Sequence, residues 1–222
     1  MKTRAKYIWG AIGALAIIAL TFAFLSRKTI LLRAGCFMAP RANHIEGVAD
    51  VAILEGMEFI KRNMITVGLD LLSSGKAKRL AIVLHKIAPD HRPFAINEDY
   101  PSSVRRELKN FGVRDTDFVI IVTHIHNPIT LVSAKGVLEV LSKDGVKSAL
   151  LVSSGFHTRR SLLVYQYLSI PLNIKIYPVA CLDAYDLDNW WNQDEGQRDF
   201  FSEAQKLVFY LAKGYIPLKL RY

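Results

Sequence analysis

The chain is poor in the residues that announce common chemistries. It has 2 cysteines in 222 residues, Cys36 and Cys181. They are far apart in sequence and assign neither a redox compartment nor a disulfide pairing. No G-x-G-x-x-G fingerprint and no Walker A lysine loop occur, which leaves dinucleotide and P-loop readings without a motif. No G-x-S-x-G elbow marks a nucleophilic serine. There are no internal repeats and no low-complexity tract. Acidic residues are missing altogether from positions 1–33, whereas Lys2, Arg4, Lys6, Arg27, Lys28 and Arg33 all fall there. Removing those six from the 29 basic residues leaves 23 against 20 acidic ones, so the formal charge of +9 shrinks to +3 over the rest. That balance is no nucleic-acid footprint, which needs a clustered basic face. The excess charge suits a lipid headgroup region instead.

Between those basic clusters lie eighteen uncharged residues, Ile8–Leu25. As a helix they extend roughly 27 Å, close to the hydrocarbon thickness of a bilayer. Tyr7 and Trp9 stand where an aromatic belt is expected. A transmembrane helix is therefore expected here. The competing reading is a cleaved signal peptide, which wants a shorter apolar core and a small-x-small site; Phe24-Leu25-Ser26-Arg27-Lys28 offers none. Arg33-Ala34-Gly35-Cys36 resembles a lipoprotein box only faintly, since an Arg stands where an apolar residue is wanted. Three basic residues on each side leave the positive-inside rule nearly balanced. The implied organisation is a cytoplasmic N-terminus and transmembrane helix over 1–25, a juxtamembrane connector over 26–48, and one domain over 49–222. Pro40, Asn43 and Gly47 discourage a long regular element in the connector.

From residue 49 short apolar runs alternate with longer amphipathic ones. Strands are expected at Val51–Leu54, Leu80–Leu84, Phe118–Val122, Ala149–Val152 and Ile174–Val179, and helices at Glu58–Ser73, Ser102–Phe111, Ile129–Lys143, Arg159–Leu168 and Asp199–Ala212. Continuous apolar strands suit a parallel sheet buried on both faces. Gly112 and Gly145 stand where helix C-caps are expected. The fold class read from this order is α/β, a three-layer, doubly wound, mostly parallel sheet of Rossmann-like kind behind one N-terminal transmembrane helix.

In such sheets ligands bind outside the carboxyl ends of the strands. The chain from Leu150 to Arg160 passes there, from an apolar strand into Ser153-Ser154-Gly155-Phe156-His157-Thr158-Arg159-Arg160. Two guanidinium groups, an imidazole and free N–H groups at a helix start would make an anion-binding corner. The alternative is a capped helix with a solvated basic first turn. Other residues expected at the same edge are Glu55, Gly56 and Thr123. His85, His91, His124, His126 and His157 all fall near strand ends, yet no spacing matches a zinc motif and no metal is assigned. A serine hydrolase would need His157 as base, with no acidic partner evident. His85–Tyr100, with Pro89 and Pro93, reads as a long loop, and such loops are often functional. The stretch from Asp183 to Arg198, rich in acids with Trp190 and Trp191, reads either as a site rim or as a connecting loop packed on the domain. Glu203 is three residues from Lys206, and it is also a candidate partner for the Arg159/Arg160 corner.

Those residues resemble the YdcF-like family, which includes the SanA and ElyC type proteins of bacterial envelopes. The resemblance covers roughly residues 49–214. Its most specific part is Leu151 to Arg160, similar to the family's V-T-S-x-x-H-x-x-R signature. Ala49 to Leu54, Trp190-Trp191, Glu203 and Lys206 are similar too. It implies an exported α/β domain behind one membrane helix, located at the bacterial inner membrane and facing the periplasm or exterior. Ser153, His157, Arg160 and Glu203 fall on family site positions. His157 and Glu203 are thus the candidate catalytic pair, and Glu55, Gly56, Thr123, Ser153, Ser154, Arg159 and Arg160 the candidate ligand-binding set. The departures are a single Glu55-Gly56 for a glycine-rich turn, Leu84-His85-Lys86 for Ser-Gly-Gly, and Thr130 to Ala134 without the family's Glu and Asn. The expected role is envelope, cell-wall or surface-polysaccharide biogenesis or barrier upkeep, with the bilayer and an anionic small molecule or lipid-linked intermediate as partners and no cofactor assigned. The alternatives are a non-catalytic scaffold for a membrane partner, or a transferase or hydrolase acting on a lipid-linked phosphate.

Overall fold

The structure, a computed structural model, describes residues 2–42, 47–56, 59–86, 99–124 and 126–217. Five strands form one sheet: β1 (Val51–Glu55), β2 (Leu80–His85), β3 (Phe118–Thr123), β4 (Ser148–Ser154) and β5 (Lys175–Cys181). All pair in parallel, in the order β3-β2-β1-β4-β5. Helices α2 (Arg62–Ser73), α3 (Tyr100–Asn110), α4 (Ile129–Lys143), α5 (His157–Ser169) and α6 (Asp194–Ala212) follow the strands in turn, and a long helix α1 (Lys2–Met38) precedes them.

Alternation along the strands builds two cores. Val51 and Ile53 face one side and pack with residues of α4, α5, α6 and the end of α1. Ala52 and Leu54 face the other and pack with residues of α2 and α3. A strand buried on both faces has no place for polar side chains along its length, which is why these runs are continuously apolar. Chemistry is left to the strand ends. Gly112 and Gly145 both have φ > 0 after their helices, at 81° and 75°, as C-cap glycines do.

Several boundaries differ from expectation, each for a physical reason. β4 runs on to Ser154 because Ser153 and Ser154 pair with Ala180 and Cys181 of β5. α5 nevertheless starts two residues early, at His157, because Gly155, at φ 49°, turns the chain directly from β4 into the helix. α6 starts five residues early, its first turn carrying Asp194 and Glu195, which the positive end of the helix favours. Asp99 caps α3 by accepting from the Ser102 N–H at 3.3 Å. Glu58, Tyr7's side chain, Asn43 and most of the His85–Tyr100 loop, His91 included, lie outside the described residues.

The expected irregular connector is the largest difference. No helix breaker occurs until Pro40, and α1 continues through residues 26–38 and docks on the domain. The Trp190 indole N–H donates to the Leu31 carbonyl at 3.1 Å. Met38 and Ala39 are buried in the core. The Ala42 N–H donates to the Pro178 carbonyl. Side chains of the Ile8–Leu25 segment fall largely outside the description, and among the described residues no helix is long and apolar enough to cross a membrane. The backbone over that segment is continuous helix.

Gly35 is where α1 meets the domain most closely. A Cβ there would stand 2.8 Å from Trp190 Nε1 and 3.1 Å from a Leu187 methyl. Gly35→Leu should therefore overpack the junction, lowering stability by about 1–3 kcal/mol, roughly 3–10 °C in Tm. A thermal melt of the full chain in detergent measures it, and an unchanged Tm would mean that α1 does not dock this way.

Candidate functional site

The sheet order reverses between β1 and β4, and the carboxyl ends of those two strands hold a buried cluster of charge. This is where open α/β sheets leave a crevice. Glu55 ends β1, and its carboxylate accepts from the Ser153 hydroxyl on β4 at 2.7 Å and from the Ser161 hydroxyl on α5. His157, Ser161 and Tyr165 follow at i, i+4 and i+8, so one face of α5 points at β1. His157 Nε2 is 3.5 Å from Glu55 Oε2, and its Nδ1 is 3.2 Å from Glu203 Oε2 on α6. An imidazole thus lies between two carboxylates from different elements.

Arg160 completes the cluster from beneath. Its Nε and Nη2 reach the same Glu203 oxygen at 2.9 and 2.8 Å, and Nη1 donates to the Thr130 hydroxyl of α4 at 2.7 Å. Its guanidinium also lies over the Tyr210 ring. The other Glu203 oxygen accepts from Lys206 at 2.9 Å. Both expected partners of Glu203, Arg160 and Lys206, are thus engaged at once. Arg160 and Glu203 are 6% and 5% exposed, whereas the His157 side chain keeps 20% of its surface open. Solvent reaches the cluster at the imidazole.

His157 Nδ1 is also 2.9 Å from Arg160 Nη2. A ring nitrogen donates to Glu203 or accepts from Arg160, not both. The carboxylates decide. Burial pulls the imidazole down, but the Glu55 charge and hydrogen bonds to Glu203 and Glu55 outweigh burial and Arg160 and raise its pKa to about 9. Nδ1–H then donates to Glu203. Burial also pushes both carboxyls up, and the imidazolium more than reverses this. Glu55 is held below its usual range by His157, Ser161 and Ser153; Glu203 is held well below it by His157, Arg160 and Lys206. At neutral pH two carboxylates therefore face three cations. The Tyr165 hydroxyl, fully buried, has no hydrogen-bond partner among the described residues. Burial and the nearby Glu55 charge push its pKa well above the usual phenol value.

Beside this cluster, past Ser154 and Gly155, opens a cleft of about 400 Å³. Lys61 and Arg198 stand at its edges with Asp183, Glu195 and Asp199. Lys61 lies 3.4 Å from both the Ser154 hydroxyl and Asp183. The N-terminus of α5 is already capped from this side, since the Phe156 N–H donates to the Tyr185 hydroxyl and the Asp199 carboxylate. Tyr185 and Asp199 are themselves hydrogen-bonded. Gly155, at φ 49°, is required there because a Cβ would run into both.

The expected pair of arginines does not form one corner. Adjacent helix residues point about 100° apart. Arg160 turns inward, while Arg159 turns to α1, where its Nε donates to the Phe37 carbonyl at 2.6 Å and its guanidinium covers the Phe37 ring. That carbonyl belongs to the last turn of α1 and has no helical partner, so a cation there is favoured. Thr123 lies two strands from β1 and meets Ser133, which also contacts His85. Gly56 lets β1 end close to β2, as a Cβ there would strike the Val83 carbonyl. Trp190 packs on the domain, stacked on Phe200 at 4.2 Å. His124 and His126 stack in the turn after β3, and among the described residues no group of three or more His, Cys, Asp or Glu is placed to hold a metal ion. Cys36 and Cys181 are both free.

Ser161, Thr130, Tyr165, Lys61, Arg198 and Asp199 were not singled out by the sequence. Only Ser161 and Tyr165 carried a signal, their helical spacing from His157. Searches against family models, curated proteins and solved structures gave no match.

A folded-state pKa of about 9, against 6.5 in the unfolded chain, means that His157 contributes stability fully present below about pH 6.5 and lost as pH rises through 9. The contribution is on the order of 3 kcal/mol at most. Urea unfolding compared near neutrality and at alkaline pH should show this fall in the native chain and a flatter profile in His157→Gln. Equal profiles would mean that His157 is neutral in the folded protein.

Proposed function

We propose that this is a single-pass protein of the bacterial envelope, anchored by α1, whose α/β domain binds a polar phosphate-bearing ligand at the β1/β4 edge. The observation that carries the reading is His157, held as an imidazolium between Glu55 and Glu203 with one edge open. Buried charge clusters of this kind add little net stability over apolar packing, and they concentrate at functional sites. At neutral pH His157 is a proton donor rather than a base. It would give a ring proton to a ligand oxygen and take it back on the same ring nitrogen, with Glu55 and Glu203 favouring the reprotonated ring.

The cleft narrows the ligand class. Lys61 and Arg198 supply positive charge for a phosphate in the cleft, and the imidazolium stands in the adjoining cluster. Asp183 and Glu195 repel a simple anion but accept hydrogen bonds from hydroxyls. A sugar phosphate or nucleotide satisfies both, and so does the headgroup of a lipid-linked sugar. The likeness to the YdcF-like family supports an exported domain and a role in cell-wall or surface-polysaccharide biogenesis or barrier upkeep. The uncharged Ile8–Leu25 segment between basic flanks supports the anchor.

A second reading is a non-catalytic scaffold binding a membrane partner. One observation favours it: Arg160 is committed to Glu203 and Thr130, and Asp199 caps the α5 N-terminus that a ligand phosphate would otherwise use.

A thermal-shift screen of the full chain in detergent separates the two. The probes are nucleotides, S-adenosylmethionine, sugar phosphates and polyprenyl phosphates. A ligand at about a hundredfold over its Kd adds about 2.7 kcal/mol, roughly 5–10 °C in Tm. The site reading expects a sugar phosphate or nucleotide to give this shift, and His157→Gln to abolish it. Shifts that survive in His157→Gln contradict the site, and no shift from any probe favours the scaffold.

A further inference from the structure

A second cleft, of about 290 Å³, lies between α1 and the turn of residues 188–192, on the side of the molecule nearest the proposed span. Lys28, Thr29 and Leu32 line it from one flank of α1, and Asn189, Trp191 and Asn192 line it from the domain. The facing surface of α1 is fixed, since the Leu31 carbonyl is bound by Trp190 and Gly35 is pressed against it. The cleft is therefore a rigid junction between helix and domain. Lys28 and Asp188, which is also at its wall, have no ion-pair or hydrogen-bond partner among the described residues.

Height decides what reaches this cleft. If the span ends at Leu25, Lys28 stands about 4.5 Å and Leu32 about 10 Å further along the helix. The headgroup layer extends roughly 5–8 Å beyond the hydrocarbon on each side. Lys28, at the cleft's near end, lies within that layer whichever leaflet it meets, and Leu32 lies just beyond it. The cleft's donors and acceptors match the layer's chemistry. An unpaired ammonium suits a phosphate, and an unpaired carboxylate suits a headgroup hydroxyl or amine.

We propose that this cleft binds the headgroup of a phospholipid, with Lys28 on the phosphate and Asp188 on a hydrogen-bond donor beyond it, and so selects phosphatidylethanolamine over phosphatidylcholine. The inference rests on the membrane-anchor reading but not on the His157 site. It gives the domain a second hold on the bilayer besides α1.

The test uses the full chain reconstituted into vesicles of equal phosphatidylethanolamine and phosphatidylcholine, washed with carbonate, then extracted in mild detergent for native mass spectrometry. About one phosphatidylethanolamine should survive per chain. Lys28→Ala should reduce its retention about fivefold, as loss of one interfacial cation does. Asp188→Asn should remove the preference over phosphatidylcholine. Arg27→Ala, the same charge change one residue nearer the bilayer and on another flank of α1, should retain the lipid. Equal loss in Arg27→Ala would reduce the effect to diffuse attraction and overturn the site. Displacement of the lipid by inorganic phosphate alone would also overturn it, in favour of a free-phosphate pocket. A chain that stays in the vesicles but keeps no lipid refutes the cleft alone. A chain released by carbonate refutes the anchor as well.

Discussion

The imidazole of His157 between the carboxylates of Glu55 and Glu203 is the interaction on which the arrangement of the site turns. It draws together the end of β1, the start of α5 and the middle of α6, and through Arg160 it reaches α4 as well. Neither carboxylate nor Arg160 tolerates removal alone. A buried carboxylate or guanidinium left without its partner costs about 3–5 kcal/mol. The cluster is therefore satisfied as a whole or not at all, a polar link among elements that the apolar core also packs together. Only the imidazole edge remains open, so whatever the site meets, it meets through a proton-bearing ring.

A second constraint comes from α1. Its last turns belong to the domain, tied by Trp190, Arg159 and a glycine contact that leaves no room for a side chain. If α1 is the anchor, the domain does not swing on a tether. The junction then holds the sheet edge at one height and orientation above the membrane, which suits a ligand that is itself tied to lipid. Arg159 shows how the two constraints share residues. It is spent on the end of α1, and so is withdrawn from the site that its neighbour Arg160 helps to build.

Most of the fold was legible because burial on both faces forces strands into unbroken apolar runs, and five such runs separated by amphipathic stretches admit few architectures. Boundaries were less so. Ser153 and Ser154 look like a loop, yet the ladder to β5 carries them into β4. Residues 26–38 look like a connector because Pro40 lies just beyond, but nothing inside them stops a helix. The site was half visible. His157, Glu203, Ser153 and Glu55 were each marked, whereas the pairing of Glu55 with His157 was not, because only the β1/β4 adjacency brings them together. The doubled arginine misled for a helical reason: neighbours in sequence diverge around the axis, so a dipeptide that reads as one patch becomes two contacts.

The central claim is that the Glu55–His157–Arg160–Glu203 cluster is kept for chemistry and not for stability. Replacing all four together with apolar residues of similar size, Glu55→Leu, His157→Leu, Arg160→Met and Glu203→Leu, tests it directly, because no buried charge is left stranded and Lys206, which loses Glu203, is exposed. The measurement is the unfolding free energy of that variant in urea at neutral pH. The account predicts a folded protein at least as stable as the native chain. A loss of more than about 3 kcal/mol, beyond what the four uncovered hydroxyl and ring contacts explain, would make the cluster a structural strut and remove the main support for a functional site at this edge.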